Sequence, residues 1–190
     1  MEVNIHNMNN ISDSDISILG FLVTEPMHGY ELHKQVTDLS GFGIVWNIKI
    51  GKLYAMLNRL EKDGLIKSSI SKEGNRPARN EFSITSRGRK KFESWMSSPI
   101  NHGREFRIVF LLKLYFSMKF GLKHTDELIN TQIEICKSWL SDRYEISQNE
   151  IVTESNIRFP MIVKKYRQIQ INGYIDWLNW CRDFVLEKMK

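Results

Sequence analysis

Only two cysteines and four prolines occur among 190 residues. Cys136 and Cys181 lie far apart in sequence and show no metal-ligand spacing. Both therefore read as reduced, structural thiols of a cytoplasmic protein rather than parts of a disulfide framework or a zinc site. The five histidines, His6, His28, His33, His102 and His124, build no ligand motif either. No metal and no cofactor is expected. A phosphate-binding glycine loop is missing, and so is a serine or cysteine nucleophile in a recognisable frame. The chain is thus not expected to be an enzyme. Long uncharged apolar runs are missing too. The most apolar stretch, Phe106 to Phe120, carries Arg107, Lys113 and Lys119, which argues against a membrane span. Residues through Ser12 lack the basic start and apolar run of a signal peptide, so none is expected there.

What is present suffices for a folded core, since 42% of the residues are hydrophobic and global disorder is excluded. The length suits one ordinary domain, or a small domain with an extension. Charge is unevenly spread. From Lys49 to Lys91 there are twelve Lys and Arg against four Asp and Glu, a net of +8, whereas residues 99–190 hold fourteen against eleven. A basic excess in one segment is the electrostatic footprint of a polyanion partner, although a solvated basic face would show the same count.

Periodicity supplies the elements. A first helix is expected over Asp13–Glu25, capped by Ser12 or Ser14, with Ile16, Leu19, Leu22 and Val23 as its apolar stripe and Pro26 as its stop. A second fits Gly29–Leu39, with His28 at its start. Ile44-Val45-Trp46 reads as a short strand, and Trp46 as core. A third helix fits Lys49–Lys62. Its positions Ile50, Leu53, Leu57 and Leu60 share one face, while Gly51, Lys52, Ala55, Asn58, Arg59 and Lys62 share the other. Asp63-Gly64 ends it. Two alternating strands follow, one with Ile66, Ser68 and Ile70, the next with Phe82 and Ile84. A turn-rich, cationic tip from Ser71 to Arg79 joins them. A fourth helix starts near Thr85 and turns Phe92, Trp95 and Met96 inward. Beyond a boundary between Ser98 and Arg104 the pattern is helical throughout: Arg104–Phe120, a break at Gly121, Thr125–Asn149, and Pro160–Lys188. In the last of these, Tyr166, Ile169, Gly173, Trp177, Trp180 and Phe184 recur at steps of three and four, the spacing of a coiled-coil-like seam.

Three helices followed by a two-stranded hairpin make a winged helix-turn-helix. The expected fold is thus mainly α with a small β-hairpin wing. Residues 12–98 form the winged-helix DNA-binding domain, and residues 104–190 a helical dimerisation domain. In such modules the second helix of the turn motif enters the major groove. Here Lys49, Gly51, Lys52, Tyr54, Ala55, Asn58 and Arg59 would face double-stranded DNA. Gly51 and Ala55 allow close approach, Lys52 and Arg59 meet phosphates or guanine edges, and Asn58 reaches a base or a phosphate. His28, Gly29 and Tyr30 open the second helix, where backbone N–H groups suit a phosphate. His28 serves first as a cap, and the Tyr54 hydroxyl reaches either a phosphate or a core partner. Lys72, Asn75, Arg76 and Arg79 arm the wing against the backbone or the minor groove. The rival reading is a winged helix used only as a protein-interaction module. Such modules usually lose the basic face of recognition helix and wing, which this chain keeps.

Several runs carry a family resemblance. They are Leu19-Gly20-Phe21-Leu22, His28-Gly29-Tyr30-Glu31-Leu32, Gly51-Lys52-Leu53-Tyr54, Arg59-Leu60-Glu61-Lys62-Asp63-Gly64-Leu65-Ile66, Arg76-Pro77-Ala78-Arg79, and the run from Ile84-Thr85 to Gly88-Arg89. In order and spacing, over residues 19–89, they resemble the PadR family of regulators. The resemblance implies a winged-helix fold, repressor-type regulation in a bacterium, and a homodimer built by C-terminal helices. The long C-terminal half is similar to the family branch with a multi-helix C-terminal domain. Two positions depart from the family pattern: Lys52 stands where a small residue or a hydroxyl precedes Leu-Tyr, and Ala55 where a Pro often follows. The aromatics Phe110, Tyr115, Phe116, Trp139, Tyr174, Trp177 and Trp180 leave two readings open. They form either a site between helices for a small aromatic effector or, in the ordinary use of Trp and Tyr at helical spacing, apolar dimer core.

Overall fold

The computed structural model describes residues 11–71, 79–146 and 158–188. Seven α-helices and one three-stranded antiparallel sheet are described. They run α1 (Asp13–Leu19), β1 (Met27–His28), α2 (Gly29–Val36), α3 (Ile50–Lys62), β2 (Ile66–Ser71), β3 (Arg79–Ile84), α4 (Ser86–Ser97), α5 (Val109–Phe120), α6 (Leu122–Ile146) and α7 (Arg158–Lys188). The mainly α fold with a small hairpin is as expected. By compactness the chain divides in two. One unit takes the chain up to Ser98 together with Arg107–Phe116, and the other takes Pro99–Phe106 with Ser117 onward. No described helix is long and apolar enough to cross a membrane.

In the first unit, local chemistry sets the helix ends. Ser12 caps α1 reciprocally: its Oγ accepts from the Asp15 N–H at 3.2 Å, and Asp15 Oδ2 accepts from the Ser12 N–H at 3.1 Å. The helix is shorter than its apolar stripe suggests. After Leu19 the backbone tightens into successive i→i+3 bonds, Gly20 to Ser17, Phe21 to Ile18 and Leu22 to Leu19. A Cβ at Gly20 would run into the Phe116 ring, so glycine lets the chain turn tightly against α5. α3 closes with Gly64 at φ +67°. There Leu65 N–H donates to Leu60 O and Gly64 N–H to Glu61 O, both at 2.9 Å, the paired bonds of a Schellman stop. Thr85 caps α4, its Oγ1 accepting from the Gly88 N–H at 3.0 Å.

The strand expected at Ile44–Trp46 is not there. Phe42–Ile44 is a 3₁₀ turn. Gly43 N–H donates to Asp38 O at 2.9 Å, and a Cβ on Gly43 would come within 2.6 Å of the Thr37 carbonyl. The backbone is thus folded back on the end of α2, out of reach of any sheet edge. The third strand is Met27–His28 instead, with order β1-β3-β2. Met27 pairs with Phe82 and His28 with Glu81, while β2 and β3 run in register from Ile66↔Ile84 to Ser71↔Arg79. Ile66 is buried, but Ile70, four residues along the hairpin, is 72% exposed.

The core of this unit is aromatic at its centre. Phe116 packs edge-on to Phe21 and Phe92, each at 5.2 Å, and lies 5.6 Å from Phe42. Phe110, Leu112 and Phe116 are buried. These α5 residues, which the sequence groups with the C-terminal helices, therefore complete the N-terminal core. Lys113 is buried among them, its ammonium donating to the Trp95 carbonyl and to Ser98 Oγ and lying over the Trp95 ring.

In the second unit, α6 and α7 pack side by side. Leu128, Ile129, Ile133 and Cys136 of α6, and Ile171, Leu178, Cys181 and Val185 of α7, are buried. Gln132 brackets the Ile100 backbone, accepting from its N–H at 2.7 Å and donating to its carbonyl at 3.2 Å. Cys136 and Cys181 are free thiols, and burial pushes each up to about 11.

Candidate nucleic-acid interface

α3 is held from beneath and from both flanks. Beneath it, Leu53, Met56, Leu57 and Leu60 are buried. Met56 takes the place the sequence reading gave to Ile50, which sits in the first helical turn and is 43% exposed. On one flank the Tyr54 ring covers Gly29, where a Cβ would lie 2.6 Å from the tyrosine hydroxyl. Any larger residue at the start of α2 would have to displace the Tyr54 ring. On the other flank Arg59 reaches α1: Nη2 donates to Asp15 Oδ1 at 2.6 Å and Nε to Oδ2 at 3.3 Å. The Asp15 carboxylate is 2% exposed and also accepts from Ser12 Oγ at 2.8 Å. Burying a carboxylate is costly without such partners, and Arg59 is engaged inside the fold.

With the flanks occupied, the outward face is Gly51, Ala55, Asn58 and Lys62, all exposed. A Cβ on Gly51 would meet nothing within 4 Å, and Gly51 has no positive φ. The fold therefore does not require glycine there, while a helix disfavours it. Lys49 stands at the N-cap position of α3, makes no side-chain capping bond and is exposed. Lys52, third in α3, is exposed, and its Nζ lies 5.4 Å from the centroid of the Trp46 ring. Trp46, expected in the core, is half-buried.

The start of α2 is tied to the sheet and to the approach to α3. Glu31 accepts from the His28 N–H at 3.4 Å, and His28 Nδ1 bonds the Asn80 carbonyl at 3.4 Å. His33 Nε2 bonds the Ile48 carbonyl at 3.0 Å. Tyr30 is 67% exposed. Gly29 is buried, so its role in the structure is to admit Tyr54. Arg79 begins β3 opposite Ser71, and Lys72, Asn75 and Arg76 lie outside the described residues. Lys52 and Tyr54 are thus brought to the two sides of one helical face, with Gly51, Ala55 and Asn58 between them. The partners of the two cations, Trp46 beside Lys52 and Asp15 beside Arg59, were not foreseen: Trp46 was expected only as core. Asp15 is 44 positions from Arg59, and no local pattern links them.

In the second unit the expected seam lies along α7 and faces outward. Tyr166, Ile169, Trp180 and Phe184 are exposed by 60%, 59%, 58% and 42%. Gly173, between them, has open space where a Cβ would stand. Trp177 is half-buried, edge-on to Phe106 at 6.2 Å, and Tyr174 stacks on Phe106 at 4.1 Å. An open groove of about 460 Å³ is lined by Asn130, Glu134, Lys137, Asn179 and Arg182 among others, none of them aromatic.

Comparison with known proteins gives these arrangements a context. Residues 18–94 match the family described as transcriptional regulator PadR-like. No curated protein matches the chain. Among solved structures, a PadR family transcription regulator from Clostridium difficile R20291 is 32% identical over 44% of this chain and 82% of its own, with a TM-score of 0.38. Bacillus subtilis PadR in complex with operator DNA is 20% identical over 92% of this chain and 99% of its own, with a TM-score of 0.45. The protein smu.1604c from Streptococcus mutans UA159 is 25% identical over 92% and 97%, with a TM-score of 0.41.

Proposed function

The chain belongs to the PadR-like family of transcriptional regulators through residues 18–94, and on that premise we propose that it binds duplex DNA sequence-specifically as a homodimer and represses transcription. The observation that carries this reading is the outward face of α3. A glycine that the fold does not use, an alanine and an amide stand in line, and exposed cations border them. Such a face costs helix stability and gains nothing inside the molecule. Its use is close approach by an outside surface, and the basic segment around it selects a polyanion. Bacillus subtilis PadR, similar over most of this chain, was solved with operator DNA.

On this reading α3 enters the major groove, with Lys49, Gly51, Lys52, Tyr54, Ala55 and Asn58 toward base edges and flanking phosphates. Arg59 braces α3 through Asp15 and contributes its charge from the flank. His28 and Tyr30 stand at the start of α2 beside the backbone, and Lys72, Asn75, Arg76 and Arg79 arm the wing. Two copies join through the exposed seam of α7. Tyr166, Ile169 and Trp180 each leave more than half of their surface uncovered and Phe184 two fifths, which is aromatic and aliphatic surface of the kind a second copy buries. Gly173 marks where two helices approach most closely. A small aromatic effector would regulate the dimer by binding one relative setting of the two copies more tightly than another.

Selection of duplexes from a random-sequence pool by the full-length protein tests this directly. Enrichment of an inverted repeat with half-sites about 10 base pairs apart, carrying two chains per duplex, is expected. No enriched sequence would refute the reading and leave the winged helix as a protein-interaction module.

A further inference from the structure

The DNA-binding reading leaves Trp46 without a role, yet its setting is specific. Its ring is tilted against Phe42 at 6.0 Å. Phe42 is fully buried among Phe21, Tyr115 and Phe116, at 5.0, 5.4 and 5.6 Å. The backbone on either side is pinned: Trp46 N–H donates to the Phe42 carbonyl at 3.2 Å, and the Ile48 carbonyl takes the His33 imidazole. One edge of the indole is thus anchored in the core, and the Lys52 ammonium lies over its face.

The choice of partner matters. A carboxylate would neutralise Lys52 and would have to be given up before the ammonium met a phosphate or a guanine edge. An aromatic face attracts a cation through its quadrupole and leaves the full positive charge in place. It also narrows the rotamers of a long side chain before binding, so less freedom is lost when the contact forms. Lys52 lies in the first turn of α3, the part of a recognition helix that meets base edges.

We propose that Trp46 is a positioning residue: its indole face holds the Lys52 ammonium, charged and pre-ordered, at the N-terminal turn of α3 for contact with duplex DNA. The proposal rests on the DNA-binding reading above and adds to it a residue outside the DNA-contacting surface that sets the affinity of one inside it.

A double-mutant cycle tests it. Affinities of the full-length protein for a duplex enriched from the random pool are measured by fluorescence anisotropy for Lys52→Met, Trp46→Leu, Trp46→Phe and the Trp46→Leu/Lys52→Met pair. Loss of the Lys52 contact should weaken binding about tenfold. Loss of the ring alone should weaken it about two- to fivefold, the bias of a cation–π contact at an exposed site. Trp46→Phe should restore most of that loss. The double variant should bind as Lys52→Met does, because a ring with no ammonium to hold contributes nothing. A Trp46 that merely supports the fold would carry its full loss into the Lys52→Met background, and that additive result would overturn the proposal. So would a gain in affinity on Trp46→Leu, which would mean that the ring holds Lys52 away from DNA. If the unaltered protein enriches no duplex, the functional reading fails and takes this proposal with it; if it binds and the cycle is additive, only the proposal falls.

Discussion

Replacing Gly51 with alanine should make the protein more stable and a poorer DNA binder at once. Gly51 has ordinary helical backbone and open space where the methyl would stand, so the added group meets nothing in the folded chain. Glycine costs a helix up to about 1 kcal/mol relative to alanine, and alanine also restricts the unfolded chain. A gain of about 0.4–1 kcal/mol is expected, which for a chain of this size raises the melting temperature by about 1–4 °C. Gly51 is the second residue of α3, on the face proposed to enter the groove. A methyl there stands between the helix backbone and the duplex and forces the helix outward, so the contacts of Lys52, Ala55 and Asn58 lengthen together. Loss of even one good base contact is worth about 1–3 kcal/mol, and binding should fall by about fivefold or more. Thermal unfolding and anisotropy on the same preparation give both numbers. A more stable variant with unchanged DNA affinity would refute the reasoning, because the outward face of α3 would then not be one that a duplex approaches closely.

Three further outcomes follow from contacts described above. Arg59→Ala should lower stability by about 1–3 kcal/mol in chemical denaturation, since it strips a buried carboxylate of its cation while Arg59 itself stays partly solvated; an unchanged unfolding midpoint would free Arg59 for DNA alone. Trp180→Ala, in the exposed seam of α7, should shift the protein from dimer toward monomer in sedimentation at micromolar concentration with little change in unfolding of the single chain, and an unaltered sedimentation profile would place the dimer contact elsewhere. The two buried thiols are held protonated in the folded state, with Cys136 and Cys181 raised to about 11 from an unfolded value near 9. The unfolded chain therefore releases these protons first, so their contribution to stability is complete below about pH 9 and is lost as pH rises toward 11; both thiols should resist alkylation at pH 8 until denaturant is added.

Much of the N-terminal fold was legible because its signals are local. Leu53, Leu57 and Leu60 of the α3 stripe, the Asp63-Gly64 stop and the two hairpin strands each rest on signals within a few residues, and each appears where expected, apart from Ile50 and Ile70, which lie at the surface. The misreadings arise where packing outranks pattern. Ile44-Val45-Trp46 has strand-forming side chains, but Gly41 and Gly43 bend the backbone into a turn before pairing is possible. The stripe that suggested a long first helix continues through Leu22 because tight turns bury the same side chains. Ile50 shares the period of the core residues, yet the first turn of α3 leaves it at the surface. Of the site, the outward residues of α3 could be named from their helical positions. Their supports could not: Asp15 under Arg59, Gly29 under Tyr54 and Trp46 under Lys52 are matters of tertiary placement. Likewise, nothing in the run from Phe110 to Phe116 says that it completes the core of the first unit.

The central claim is that α3 and the basic segment around it bind duplex DNA. The most direct measurement is anisotropy of the full-length protein on the duplex upstream of its own gene, titrated with salt and competed with unrelated DNA. The account predicts tight binding that unrelated duplex does not displace at equal concentration, with log K falling linearly against log salt at a slope of several units, one for each phosphate neutralised. Weak binding that is equal for every sequence tested, or a slope near zero, would contradict it.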